Sequence, residues 1–246
     1  MTVAGCGKAA DPEVLVMFRE AEQHFESAAG PEDYERVAGE YQEILDRGFH
    51  SGSVLFNQGN AWMQAGKTGL AIAGYRQAQR LLPRDPYLRA NLNAAISKVE
   101  RRPADETTIA DQLFFWQDQV SFPEKARLAT AVLLSLITAN ILTQLRRVQP
   151  YHGVLKNVQR GLTVLLVLSV ATVARDWYRY EYLRHGVVID ETTARKGASA
   201  AYEPAFTADV PEGTEFEVRE RREDWLHVTI AGVGDGWLPD RNCVTY

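Results

Sequence analysis

Three kinds of hydrophobic pattern follow one another along the 246 residues of this chain. In the first hundred residues, apolar side chains recur at intervals of three and four, the period of amphipathic helices. Two uncharged runs come next, from Leu128 to Leu145 and from Gly161 to Ala174. After about residue 184, apolar and polar residues alternate in short segments separated by Gly and Pro, a pattern typical of strands. We therefore predict a multidomain chain with an all-α region, a pair of apolar helices and a small all-β domain.

A spaced motif runs through the helical region, which we place at residues 13–100. The motif reads Leu55-x2-Gln58-Gly59-x2-Trp62, then Ala71-x3-Tyr75, Ala78 and Pro83. Its spacing resembles that of the 34-residue tetratricopeptide repeat. In that repeat, small residues let two helices approach, aromatic residues fill the space beside them and a proline ends the second helix. The preceding residues fit more loosely and predict a degenerate repeat, while Asn91, 34 residues after Asn57, marks the start of a further one.

The two apolar runs are long enough to cross a membrane as helices, which takes about 20 mostly apolar residues. We predict spans at 126–146 and 158–178, a juxtamembrane linker at 101–125 and a cytoplasmic loop at 147–157. Residues 146–160 contain four Lys/Arg and no Asp or Glu, and short basic loops stay on the cytoplasmic side. The alternative is a buried helical hairpin in a soluble domain, but the first run lacks the polar stripe that such a hairpin usually shows.

Charge divides the chain in the same way as hydropathy. Residues 123–174 carry a net charge of +5, whereas residues 1–122 and 175–246 each carry −5, so the whole chain has a net charge of −5. The acidic flanks would repel phosphates, which argues against nucleic-acid binding. With the basic loop in the cytoplasm, both flanks are expected outside it, in the periplasm if the source is a Gram-negative bacterium.

The N-terminal tail, residues 1–12, contains a second sign of export. Val3-Ala4-Gly5-Cys6 resembles the box around the lipid-modified cysteine of bacterial lipoproteins. Only five residues precede Cys6, fewer than a signal peptide requires. We therefore expect lipidation of Cys6 if the true start lies upstream of the recorded one, and otherwise a polar tail with one thiol. The other cysteine, Cys243, is in a different predicted domain, so no disulfide framework is implied.

The C-terminal segment, residues 184–246, resembles bacterial Src-homology-3-like (SH3b) domains. The resemblance is carried by the turn Pro211-Glu212-Gly213-Thr214, the strand Trp225-Leu226-x-Val228 and the sequence Gly236-Trp237-Leu238-Pro239. It implies a small barrel, and the alternating segments predict five or six short strands. Trp225 and Trp237 are candidates to line a ligand groove. The alternative is that both tryptophans belong to the core of the barrel.

A catalytic or metal-binding motif is not found in the sequence. The five histidines are scattered, and none lies in an H-E-x-x-H motif or beside a cysteine at ligand spacing. We therefore predict a non-enzymatic protein without cofactor or metal. The enzymatic alternative is a Cys–His hydrolase built from Cys243 and His227, because SH3-like domains often accompany cell-wall hydrolases.

The order of these parts resembles the BatE-type proteins of bacterial aerotolerance operons, most closely over residues 55–96. The resemblance implies a membrane-anchored scaffold that acts beside a MoxR-type ATPase and membrane proteins with von Willebrand factor A domains. Asn57, Asn60 and Asn91 are candidates to hydrogen-bond a partner's extended backbone or terminal carboxylate, and the alternative for them is helix-surface polarity. The second functional hypothesis is a wall tether, in which the SH3-like domain binds peptidoglycan.

Overall fold

The structure, a computed structural model, describes residues 12–99, 119–144, 152–181 and 184–246. The chain divides into two compact units, one formed by residues 1–114 and 183–246 and the other by residues 115–182. The described residues contain seven α-helices and one five-stranded antiparallel sheet. Cys6, most of the predicted linker and most of the predicted cytoplasmic loop lie outside the described residues.

Five helices occupy the N-terminal part of the first unit: α1 (Pro12–Ser27), α2 (Pro31–Asp46), α3 (Gly52–Gln64), α4 (Thr68–Leu81) and α5 (Pro86–Ser97). Each packs against the next through loops of three to five residues. Their ends follow local chemistry. The Ser51 hydroxyl accepts the Val54 amide at the start of α3, and Asp85 accepts two amides at the start of α5. Gly66 ends α3 with a φ of 78°, a left-handed conformation that favours glycine.

Buried positions in these helices recur at the interval of the sequence motif. The buried residues Val54, Gln58 and Ala61 of α3 correspond, 34 residues later, to the buried Leu88, Leu92 and Ala95 of α5. The same offset relates Val37, Ala38, Tyr41 and Ile44 of α2 to Ala71, Ile72, Tyr75 and Ala78 of α4. Helix α1 matches α3 at an offset of 40 instead, through buried Val14, Phe18 and Ala21. The six extra residues lengthen the tip of the first hairpin by about one turn in each helix, which accounts for the loose match there.

The sheet contains β1 (His185–Val188), β2 (Glu215–Arg222), β3 (Trp225–Ile230), β4 (Gly234–Pro239) and β5 (Cys243–Thr245), in the order β4-β3-β2-β1-β5. Every neighbouring pair is antiparallel. Leu226, Val228 and Ile230 of β3 are buried, while the residues between them are half-buried. The prediction of a small all-β domain is confirmed, and the period-2 pattern arises because successive strand residues point to opposite faces.

The second unit contains two helices, α6 (Phe122–Thr143) and α7 (His152–Glu181). Both are long and apolar enough to cross a membrane, over Phe122–Thr143 and Gly153–Tyr178. This confirms the two predicted apolar helices, although each begins four or five residues before the predicted span. A capping box formed by Ser121 and Glu124 starts α6.

Candidate functional site

The asparagines predicted to bind a partner lie beside tyrosines that repeat with them. Tyr41 and Tyr75 are 34 residues apart, as are Asn57 and Asn91. The Asn57 amide is 3.4 Å from the Tyr41 hydroxyl. Asn60 Oδ1 accepts hydrogen bonds from the Tyr75 hydroxyl at 2.9 Å and from Asn91 Nδ2 at 2.8 Å. The structure therefore brings Asn60 and Asn91 together on adjacent helices and places Asn57 in a separate pair.

The Asn60–Asn91 pair keeps one donor and one acceptor available. Both residues are half-buried, and among the described residues neither Asn60 Nδ2 nor Asn91 Oδ1 has a hydrogen-bond partner. Burial raises the pKa of Tyr75 well above the ordinary tyrosine value, so its hydroxyl remains a donor to Asn60. A free amide donor beside a free carbonyl acceptor matches the hydrogen-bonding groups of a peptide unit.

The sheet docks onto helix α4, an arrangement that the sequence analysis did not identify. Arg76 donates from Nε and Nη2 to the two carboxylate oxygens of Glu215, at 2.7 and 2.9 Å. The Tyr246 hydroxyl donates to Glu215 Oε1 at 2.8 Å, and the Arg80 guanidinium carbon lies 5.6 Å from the centroid of the Tyr246 ring. We call these four residues the docking cluster. It joins a carboxylate of β2 to two turns of α4.

Electrostatics within the docking cluster favour the charged form of Glu215. Burial by itself would raise the pKa of this carboxyl group. The hydrogen bonds and positive charge of Arg76, together with the Tyr246 hydroxyl, outweigh burial and hold the pKa below its ordinary value. The carboxylate is therefore ionised at neutral pH and serves as the acceptor for both neighbours.

Backbone contact beside the docking cluster requires glycine. The Gly69 amide donates to Glu212 Oε1 at 2.8 Å, and a Cβ at Gly69 would lie 2.3 Å from the Val188 carbonyl oxygen. Val187 is fully buried in the same apolar cluster as the five N-terminal helices. The predicted repeat region and the predicted barrel thus share a core. A helix-start glycine at residue 69 is the only signal in the sequence that could have suggested so close an approach.

The two candidate tryptophans lie on one face of the sheet. Trp225 and His227 alternate with buried residues of β3, and Trp237 is the cross-strand partner of His227. Trp237 is only 8% exposed, because the His227 ring stacks on it at 4.9 Å and the Arg222 guanidinium lies 5.3 Å from its centroid. Trp225 is half-buried. The structure brings the pair together, with Trp225 as the more accessible ring.

Cys243 does not have the environment of a catalytic nucleophile. Burial, with the nearby Asp240 carboxylate, raises the pKa of its thiol to about 12, so the sulfur is protonated at neutral pH. Strands β1 and β2 separate β5, which contains Cys243, from β3, which contains His227. Within the described residues there is also no cluster of three or more side chains able to hold a metal ion.

Helices α6 and α7 meet along a narrow seam. The less exposed residues alternate at spacings of four and three: Lys125, Ala129, Val132, Leu136 and Ala139 on α6, and Gln159, Leu162, Leu166, Ser169, Val173 and Asp176 on α7. This heptad spacing is typical of two helices that supercoil around each other with a left-handed twist. Several of these inward-facing residues are small or polar.

Polar contacts join the two ends of this seam. Lys125 Nζ lies 2.5 Å from Asp176 Oδ2, and the two side chains are 5% and 7% exposed. At the opposite end, Gln159 Nε2 donates to Asn140 Oδ1 at 3.1 Å. The outer surface between these contacts is apolar, with exposed Leu133, Leu134, Ile137, Ile141, Val164, Leu165, Val167, Leu168 and Val170. A hairpin in water would place its polar side chains outside and its apolar ones inside; this hairpin does the reverse.

Comparison of the chain with protein-family models, with curated proteins and with solved structures finds no match. The geometry therefore supplies the argument for function. Of the predicted site residues, Asn60 and Asn91 form one pair and Trp225 and Trp237 share one face. Asn57 bonds to Tyr41 instead, and Cys6 lies outside the described residues.

Proposed function

We propose that this protein is a membrane-anchored scaffold that binds a protein partner through its N-terminal helices. The observation that carries the proposal is the repeated Tyr–Asn pairing, which leaves the Asn60 amide and the Asn91 carbonyl oxygen able to bond a peptide group. The helices correspond in this proposal to a tetratricopeptide-repeat array, and the sheet to an SH3-like barrel. The protein acts by holding partners and not by catalysis.

The anchor is the hairpin of α6 and α7. Its apolar surface suits lipid, and its buried ion pair is sheltered between the helices. Along α7, Arg160 and Lys156 lie 16 and 20 residues before Asp176, or about 24 and 30 Å at 1.5 Å per residue. That separation is close to the roughly 30 Å thickness of the hydrocarbon core. The exposed Trp177 and Tyr178 then lie at the second membrane–water boundary.

The connection between α6 and α7 is basic and is placed in the cytoplasm, so the repeat array and barrel are placed in the periplasm. In this setting the chain works as a BatE-type component of an aerotolerance system. Its partners there are von Willebrand A-domain membrane proteins, associated with a MoxR-type ATPase. Lipidation of Cys6 would add a second attachment to the same membrane.

Partner binding is tested by co-expressing the full chain with a von Willebrand A-domain membrane protein and measuring the amount recovered together. We expect the double variant Asn60→Ala/Asn91→Ala to lower recovery by at least tenfold, since it removes both free hydrogen-bonding groups. The control is Asn93→Ala, an exposed asparagine on the same helix α5. Recovery that is equal for the double variant and the control would refute this binding mode.

Sidedness is tested with single cysteines in a background without the native ones. We expect a membrane-impermeant thiol reagent to label His50→Cys and Glu220→Cys from the periplasmic side of intact spheroplasts, and His152→Cys only after lysis. Labelling of all three positions in intact spheroplasts would contradict the hairpin topology.

The alternative function is a wall tether, favoured by the half-buried Trp225 beside Trp237. Because Val187 belongs to the helical core, the test uses the full chain in detergent instead of an isolated barrel. If the tether is correct, the protein sediments with purified peptidoglycan sacculi, and Trp225→Ala abolishes sedimentation. Absence of sedimentation by the unsubstituted chain would eliminate this function.

A further inference from the structure

A groove opens between α6 and α7 at the end of the hairpin opposite the Lys125–Asp176 pair. It has a volume of about 540 Å³. Its lining combines apolar, neutral polar and basic side chains: Leu136, Asn140, Lys156, Gln159, Arg160, Thr163 and Val164. The hydrogen bond from Gln159 to Asn140 crosses between the helices within this groove.

The positive charge of the groove is not neutralised within the hairpin. Lys156 and Arg160 are exposed and lie one helical turn apart. Arg160 donates to the neutral Asn157 side chain at 3.2 Å. No Asp or Glu occurs anywhere between Glu124 and Asp176 in the sequence, and those two acids belong to the other end of the hairpin. An anion from outside the hairpin is therefore the natural counter-charge for this pair.

We propose that the groove binds the headgroup of an anionic phospholipid. The phosphate would lie between the Lys156 ammonium and the Arg160 guanidinium, which are charge-assisted donors. Asn140 Nδ2, which has no hydrogen-bond partner among the described residues, supplies a further donor. Leu136 and Val164 form an apolar wall beside these donors, against which an acyl chain can lie.

The position of the groove along the hairpin selects a lipid over a free anion. This step rests on the membrane insertion proposed above, which puts Lys156 and Arg160 at the cytoplasmic boundary of the hydrocarbon, about 24 to 30 Å from Asp176. Basic pockets between transmembrane helices on that side match the headgroups of anionic lipids. A free phosphate would use the cations but would leave the apolar wall uncovered.

The test is native mass spectrometry of the full chain in detergent, titrated separately with phosphatidylglycerol and phosphatidylcholine. The variant is Lys156→Gln/Arg160→Gln. The matched control is Arg127→Gln, which removes an exposed cation at the other end of α6, where Arg127 donates to the Pro123 carbonyl oxygen. We expect phosphatidylglycerol to bind at least tenfold more tightly than phosphatidylcholine. The double variant should lose about thirtyfold in phosphatidylglycerol affinity, roughly fivefold for each cation, and the control less than twofold.

Three results would overturn the lipid site: equal affinity for the two lipids, an unchanged preference in the double variant, or an equal loss in the Arg127→Gln control. Release of bound phosphatidylglycerol by millimolar inorganic phosphate would assign the groove to a free anion and would also overturn it. Membrane insertion is measured separately, as resistance of the chain to extraction by alkaline carbonate. A chain that resists extraction but shows no lipid preference refutes this inference alone, whereas an extractable chain refutes the anchor and the lipid site together.

Discussion

Breaking the ion pair between Lys125 and Asp176 is the single change that we expect to damage the hairpin most. The two charged atoms are 2.5 Å apart and the side chains are almost completely buried. Asp176→Asn preserves the size of the side chain but removes the negative charge. The ammonium group of Lys125 would then remain between the helices without a counter-charge, which is the costly state.

The size of the effect follows from the competition between attraction and desolvation. At 2.5 Å and an effective dielectric constant of about 20, two unit charges attract by roughly 7 kcal/mol. Withdrawing the two ions from water cancels several kcal/mol each, so the intact pair contributes little net stability. Loss of one partner leaves the desolvation of the other uncompensated. We therefore expect Asp176→Asn and Lys125→Met each to lower the free energy of hairpin unfolding by about 3–5 kcal/mol.

A double-mutant cycle measures this coupling directly. We expect Lys125→Met/Asp176→Leu to cost less than about 2 kcal/mol, because no charge remains buried. The assay is reversible unfolding of the hairpin in bicelles by steric trapping. Asn140→Ala and Gln159→Ala provide a control cycle on the exposed polar pair at the other end, with a coupling below about 1 kcal/mol. Additive effects of the Lys125 and Asp176 substitutions would refute the reasoning.

Three further predictions concern the first unit. Because the folded-state pKa of Glu215 is lowered, its stabilisation is complete above the unfolded value of about 4.3 and is lost as the pH falls through the folded value. Urea unfolding between pH 3 and 7 should show this loss and Glu215→Gln should lack it; parallel profiles would contradict the assignment. Gly69→Ala should destabilise the unit, since its Cβ would overlap the sheet backbone, whereas Gly39→Ala, with open space around it, should stabilise the unit by about 0.5–1 kcal/mol. Thermal unfolding distinguishes the two, and stabilisation by both would show that the sheet does not contact α4. Tyr75→Phe should cost about 0.5–1.5 kcal/mol in urea unfolding through loss of the hydrogen bond to Asn60, and an unchanged midpoint would contradict that bond.

The helices and strands were predictable because their signals are local. Small residues such as Gly59 and Ala71 lie where two helices approach, and a Cβ at Gly59 would lie 2.7 Å from the Tyr75 ring. The alternation in β3 gives the buried face of the sheet directly. Such patterns depend on neighbours within about one repeat, so a single sequence contains them.

The docking cluster was not predictable in this way. Arg76 and Glu215 are 139 residues apart, and nothing in the period of either element states which helix faces which strand. Lys125 illustrates a related difficulty. It lies one residue outside the span predicted at 126–146, so it was interpreted as part of a flanking linker. Its buried partner, Asp176, becomes visible only once the two helices are placed side by side.

The docking cluster also constrains the topology of the anchor. Residues 12–99 and 184–246 are in direct contact through Arg76 and Glu215, so both must lie on the same side of any membrane. The chain between them therefore crosses that membrane an even number of times. A single span would separate Arg76 from Glu215, and a hairpin of α6 and α7 is the arrangement of two spans that the described helices allow. The side is then decided by the basic connection between the two helices, whose charge favours the cytoplasm and leaves the docked helices and sheet outside it.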